Sequence, residues 1–347
     1  MHFTVPLQRL ALAAACALAA AGAQAQQITL KVHHFLPSTS SSQVHLIGPW
    51  CEKINKASND RLKCQIYPSM QLGGTPPQLF DQARDGVADI IWTVPTYAAG
   101  RFTKAEVFEL PFMAATAKVG SQALWAYTQK HALDEFKGTK LIFMHVHDGA
   151  LMHFKDKTPT KMEDLKGLKI RAATRINSQF IASLGATPVQ MPLPAVPEAL
   201  SKGVIDGASV PWEGVPSIKL QEIARHALDT APGVPRMANT IFAFAMNQAK
   251  YDSLPADLKK VIDDNSGLAA SAWAGETAFD AVVAPHQKLA RDAGEKITFL
   301  PDAEVQRWMK ASEQIDDEWV KTVSAKGANG KLLLEDARAL IKQFAGK

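Results

Sequence analysis

The sequence predicts an α/β protein of two lobes with a cleft between them. Three observations carry this. Strand-like and helix-like segments alternate, the alternation starts afresh near residue 141, and the chain past its first 25 residues is too long, at about 320 residues, for one ordinary domain. The opening runs as follows. Residues 27–35 (QITLKVHHF) read as a strand, and Pro37 with the serine run at 38–42 forms a loop able to cap a helix through 50–57. A second strand spans 62–68. A helix over 77–85 has proline in its first turn and stops at Gly86, and 88–94 is an apolar, buried strand. Such a βαβαβ order implies a parallel sheet with helices on both faces, and ligands beyond the carboxyl ends of its strands. The second unit has strands at 141–147, 168–171 and 207–210, with helices at 177–184 and 196–202. A helical stretch over 255–293, mildly interrupted by Gly267 and Gly275, is long enough to run across both lobes, and 302–325 and 334–344 read as amphipathic surface helices. The boundaries expected are 26–149 plus 235–277 for the first lobe and 150–234 plus 278–347 for the second.

Residues 1–25 read as a cleaved export signal: Arg9 gives the positive start, 10–21 is apolar and Ala-rich, and Ala23-Gln24-Ala25 fits a small-x-small cleavage site. Cys16 raises lipidation as a rival, but Ala13 stands three residues before it where leucine is usual. No later stretch is long and apolar enough to span a membrane, so a periplasmic location is expected. Removing the signal takes away Arg9 and no acid, which lowers the formal net charge from +4 to +3. Basic residues are scattered among acids, which argues against nucleic acid and against an anionic membrane surface as partners. The mature chain keeps Cys51 and Cys64, either a disulfide in an oxidising compartment or two free buried thiols; geometry decides.

Arg171 closes the strand at 168–171, after the turn-like Asp-Leu-Lys-Gly at 164–167. A guanidinium at the mouth of a strand is suited to hold a carboxylate by a bidentate fork, and the alternative is a structural ion pair with a neighbouring acid.

Six segments together resemble the extracytoplasmic solute receptors of tripartite ATP-independent periplasmic (TRAP) transporters, dicarboxylate-receptor type. They are Leu-Gly-Gly at 72–74, Asp-Gly-Val-Ala-Asp at 85–89, Phe-Glu-Leu-Pro-Phe at 108–112, Leu-Lys-Gly-Leu-Lys-Ile-Arg at 165–171, Leu-Gly-Ala-Thr-Pro-Val at 184–189 and Ala-Leu-Ser-Lys-Gly-Val-Ile-Asp-Gly at 199–207. Each is weak alone, and all six stand in the family's order. The resemblance implies the two-lobe periplasmic-binding-protein fold with a long helix spanning both lobes, a ligand enclosed on closure, a membrane permease as partner, and Arg171 as the residue that binds the substrate carboxylate.

Departures from the family pattern bear on the ligand. Where common receptors carry an asparagine after Asp-Gly, this chain has Val210, and positions that are polar in receptors of polyhydroxylated acids align with Phe35 and Val94. Trp212 and Trp92 are placed to add aromatic walls, and approximate alignment adds Thr174, Leu193 and Met237. An apolar pocket with one fixed cation favours a monocarboxylate with an apolar or aromatic body, because a second carboxylate or a row of hydroxyls would be left unpaired at about 1–3 kcal/mol per group. A C4-dicarboxylate or sugar-acid receptor of the same family, or a receptor feeding a signalling protein, is the alternative. His145 and His147 fall on one strand face beside Asp148, a spacing open to metal, but no third or fourth ligand follows; His147 is instead a candidate hydrogen-bond donor to the ligand. His33 and His34 carry the same ambiguity. No Gly-x-Ser-x-Gly elbow or His-Glu-x-x-His helix occurs, so no enzyme, cofactor or metal is expected.

Overall fold

The computed structural model describes residues 27–346; the export signal expected at 1–25 lies outside the described residues. Eleven strands form two sheets among these residues. In chain order they are β1 (Ile28–His34), β2 (Leu62–Tyr67), β3 (Ile90–Thr93), β4 (Thr139–Val146), β5 (Ala150–Phe154), β6 (Lys169–Ala172), β7 (Thr187–Gln190), β8 (Gly207–Pro211), β9 (His226–Asp229), β10 (Ile241–Asn247) and β11 (Lys296–Phe299). The first sheet is ordered β2-β1-β3-β10-β4 and the second β11-β9-β5-β8-β6-β7. The central strands β3 and β10 are buried along their whole length, as their unbroken apolar runs require.

Neither sheet is purely parallel. β1 pairs in parallel with β2 and β3, but β10 runs antiparallel to β3 and β4. In the second sheet β6 is parallel to β7 and β8, whereas β5 runs antiparallel to β8 and β9. The cause is the path of the chain. It leaves the first sheet after β4 and returns as β10, so the strand that begins each visit enters against the direction of the local βα units.

These crossings, at 147–149 and 230–240, lie against each other. Gly149 has φ +88°, and a Cβ there would stand 2.5 Å from the Cβ of Arg236, so only glycine fits between the two passing segments. Arg236 Nη1 donates to the Asp148 carbonyl at 2.8 Å.

The single helix expected over 255–293 is broken. The chain forms Ala256–Asp264, Gly267–Gly275, a wide turn over Glu276–Asp280, and Val283–Asp292. Gly267 takes φ +87°, a conformation that ends helical continuity at Asn265 and Ser266 and that glycine adopts at little cost. The helix that touches both lobes along its length is instead Asp302–Ser324, 23 residues and about 35 Å long. Its start packs Trp308 on Phe180 of the second lobe, and near its end Trp319 Nε1 donates to Thr103 O of the first at 2.9 Å. The final helix, Gly330–Ala345, returns to the first lobe, where Asp336 accepts from His131 at 2.7 Å and Lys130 at 2.9 Å, so it stands apart from the second-lobe assignment of 278–347.

Cys51, on the helix Gly48–Ala57, is joined to Cys64 on edge strand β2 by a disulfide, with a Cα–Cα separation of 5.8 Å. Closing so short a loop stabilises by about 3 kcal/mol. No helix among the described residues is long and apolar enough to cross a membrane.

Candidate functional site

The carboxyl ends of β1, β3, β4, β6 and β8 converge on a small cavity between the sheets. Six of the residues expected at the site line it: Arg171, Phe35, Trp92, Val94, His147 and Leu193. Four do not. The Trp212 side chain lies in the second-lobe core, edge-on to His153 and donating to Asp229 Oδ2 at 2.8 Å. Val210 shares its orientation by strand alternation, which leaves Pro211 and Glu213 to face the cavity. Thr174 caps the helix Arg175–Ser183 through Asn177 N, and Met237 is buried outside the lining. Tyr97, Glu213, Thr240 and Phe242 line the cavity and were not anticipated.

One wall is a stack of rings. Phe35 lies on Trp92 at 5.1 Å and 17°, Trp92 on Phe242 at 4.8 Å and 15°, and Phe242 on His145 at 4.7 Å and 4°. Trp92 Nε1 donates to His145 Nε2 at 2.8 Å. Burial drives the pKa of His145 and of His147 from 6.5 down to about 3, so both are neutral. His147 Nδ1 accepts from Gly149 N at 3.0 Å, which places the ring proton on Nε2. His33 and His34 face elsewhere, bonded to Gln82 and Gln43.

The same cavity is lined by Arg171, 2% exposed. Its Nε donates to Met191 O at 3.0 Å and its Nη1 to Ser209 O at 2.6 Å, which locks the plane of the guanidinium. Burial lowers its pKa and the neighbouring Tyr97 phenol raises it; no carboxylate contributes. Arg171 takes part in no ion pair among the described residues, although the lobe holds several buried acids. Tyr97 comes from the first lobe, and its oxygen accepts from Leu193 N of the second at 3.2 Å, so the cleft is closed over the cavity. The Arg175–Glu106 ion pair spans the same cleft.

Behind the cavity wall Arg236 holds Asp229 at 2.7 Å and Asp148 at 3.0 Å, and Glu213, which lines the cavity, joins no ion pair among the described residues. Burial, then Asp148, raises the Glu213 pKa from 4.5 to about 8. Burial likewise raises Glu109 to about 8, against hydrogen bonds from Thr96 at 2.6 Å and Ile241 N at 3.1 Å. Both acids keep a proton in the folded chain that the unfolded chain releases above 4.5. Their stabilising contribution is therefore full below 4.5 and is lost as pH rises through about 8. The neutral histidines have the opposite sign, titrating mainly below 6.5. Between pH 6.5 and 8.5 the raised acids outweigh the histidines, whose contribution is nearly complete above 6.5, so the unliganded protein should melt at a lower temperature at pH 8.5 than at 6.5; differential scanning calorimetry showing a flat or rising midpoint would refute this.

Two α/β lobes closed over a polar-ended apolar cavity define a receptor that encloses a small solute. Residues 32–322 match the family described as bacterial extracellular solute-binding protein, family 7, and the chain belongs to that family of binding proteins, which are not enzymes. It is 28% identical to the outer membrane transporter protein TsaT of Comamonas testosteroni, over 98% of each chain. It is 24% identical to the C4-dicarboxylate-binding periplasmic protein DctP of Rhodobacter capsulatus, over 68% of this chain and 70% of that one. Among solved structures, a TRAP solute-binding protein from Rhodoferax ferrireducens T118 in complex with copurified benzoate superposes with a TM-score of 0.90 at 44% identity, covering 92% of this chain and 99% of that one. A marine metagenome TRAP solute-binding protein in complex with 3-hydroxybenzoate gives 0.90 at 43%, with coverage of 92% and 99%. One from Bordetella bronchiseptica with bound (R)- and (S)-mandelate gives 0.83 at 29%, with coverage of 91% and 99%.

Proposed function

We propose that this protein captures an aromatic monocarboxylate in the periplasm and delivers it to a TRAP membrane permease. The observation that carries the reading is Arg171: a buried guanidinium, held by two backbone carbonyls, facing a ring-lined cavity with no carboxylate partner among the described residues. A buried cation is costly unless paired, and a ligand carboxylate supplies the pair. The remaining wall of Phe35, Trp92 and Phe242 suits a flat ring, adding about 0.5–1.5 kcal/mol per stacked pair beyond burial. The relatives with bound benzoate, 3-hydroxybenzoate and mandelate support the same class. The Cys51–Cys64 disulfide supports an oxidising compartment.

Capture is closure. The two lobes open and shut about the crossings near Gly149 and Val234, and the ligand favours the shut form because it touches Arg171 on one lobe and Phe35 and Trp92 on the other. Calorimetric competition tests the ligand class. Benzoate and phenylglyoxylate should bind more tightly than succinate or a uronate, and tighter succinate binding would sink the proposal.

A further inference from the structure

Glu213 is the one acid among the residues that line the cavity, and the capture of a simple carboxylate leaves it unused. It follows β8, and because Trp212 is anchored on Asp229 in the core, the chain presents Glu213 to the cavity. The side chain is 2% exposed, its Oε1 has no hydrogen-bond partner, and it joins no ion pair among the described residues. Arg236 is already shared by Asp148 and Asp229, and Arg171 is tied to Met191 and Ser209. Burial beside Asp148 keeps the carboxyl protonated at neutral pH. A neutral carboxylic acid offers one O–H donor and one carbonyl acceptor, a pair that a hydroxyl or carbonyl oxygen on a ligand can satisfy and a bare ring cannot. Leaving it unmatched against an apolar ring carries the cost of an unsatisfied buried polar group.

We propose that Glu213 binds an oxygen substituent on the ligand, so that the receptor selects hydroxylated or oxo-substituted aromatic monocarboxylates over their unsubstituted parents. The carboxylate of such a ligand pairs with Arg171, its ring lies along Phe35 and Trp92, and its second oxygen meets Glu213. The inference rests on the aromatic-monocarboxylate reading above.

The test is isothermal titration calorimetry of the wild type, Glu213→Gln and Glu213→Leu with benzoate, 3-hydroxybenzoate, 4-hydroxybenzoate, mandelate and phenylglyoxylate. In the wild type at least one oxygenated acid should bind about tenfold or more tighter than benzoate. Glu213→Gln, which keeps both a donor and an acceptor in nearly the same shape, should retain that ratio, and Glu213→Leu should collapse it toward one. A wild type that binds benzoate as well as every oxygenated acid, or a ratio that survives in Glu213→Leu, overturns the role of Glu213 while leaving the ligand class standing. A wild type that binds none of the five overturns the ligand class itself.

Discussion

Replacing Arg171 with alanine is expected to abolish ligand capture, and replacing it with lysine to restore only part of it. The guanidinium is placed before any ligand arrives. Nε and Nη1 are committed to Met191 O and Ser209 O and the Tyr97 phenol lies against the group, so the guanidinium at the cavity is held in a fixed plane. Little rotamer freedom is left to lose on binding, and an ion pair formed there is shielded from water by the ring wall. Removing one partner of a buried, hydrogen-bonded charge pair costs about 2–5 kcal/mol in affinity. That range takes a micromolar binder to the edge of detection or past it. An ammonium at position 171 supplies charge but not a planar fork, and it cannot serve the two carbonyls and a carboxylate in the same geometry. Calorimetry on variants whose circular dichroism shows them folded decides the matter: unchanged affinity in Arg171→Ala would remove Arg171 from the site.

What could be read from the sequence follows the reach of local physics. The apolar run at 88–94 and the alternation at 62–68 correspond to β3 and β2, because side-chain burial within one strand is a local property. The antiparallel insertion of β5 and β10 is not local, since it depends on the chain leaving one lobe for the other. The run Ile241-Phe242-Ala243-Phe244-Ala245-Met246 carried a strand signal, and recognising it would have brought Phe242 into view. Of the residues expected at the site, those at strand ends, Arg171, Phe35, Val94 and His147, line the cavity. At the end of β8 the alternation decides: Val210 and Trp212, expected at the site, are buried in the core while Pro211 and Glu213 line the cavity, and a shift of one residue exchanges the two faces. Thr174 was wanted by its own helix, whose first free N–H groups it caps, a need that outweighs a ligand contact. Tyr97 sits in a short turn after β3 and reaches the site only because the two lobes are shut, which no single-chain periodicity reports.

Trp92→Ala should lower stability by about 3–5 kcal/mol and enlarge the site toward bicyclic acids. The indole is fully buried and two rings stack on it, Phe35 at 5.1 Å and Phe242 at 4.8 Å. Deleting it empties the middle of the stack, and rings pinned by β1 and β10 cannot collapse into the space without shifting both strands. It also strips His145 Nε2 of its donor. Because burial keeps that imidazole neutral, it cannot recover by taking up a proton, so the lost hydrogen bond adds to the cavity term. Trp92→Phe separates the two effects. It keeps a ring beside Phe35 and Phe242 and gives up the Nε1 donor and part of the indole volume, so its cost should fall between those of the wild type and the alanine variant. Urea denaturation of the three proteins should rank them wild type, phenylalanine, alanine. In binding, the space vacated in Trp92→Ala lies against the aromatic wall, so 2-naphthoate should gain on benzoate by comparison with the wild type. If Trp92 were core alone, stability would fall in the same order while the ratio of naphthoate to benzoate affinity stayed constant. A changed ratio therefore assigns the indole to the ligand wall, and an unchanged one assigns it to the core.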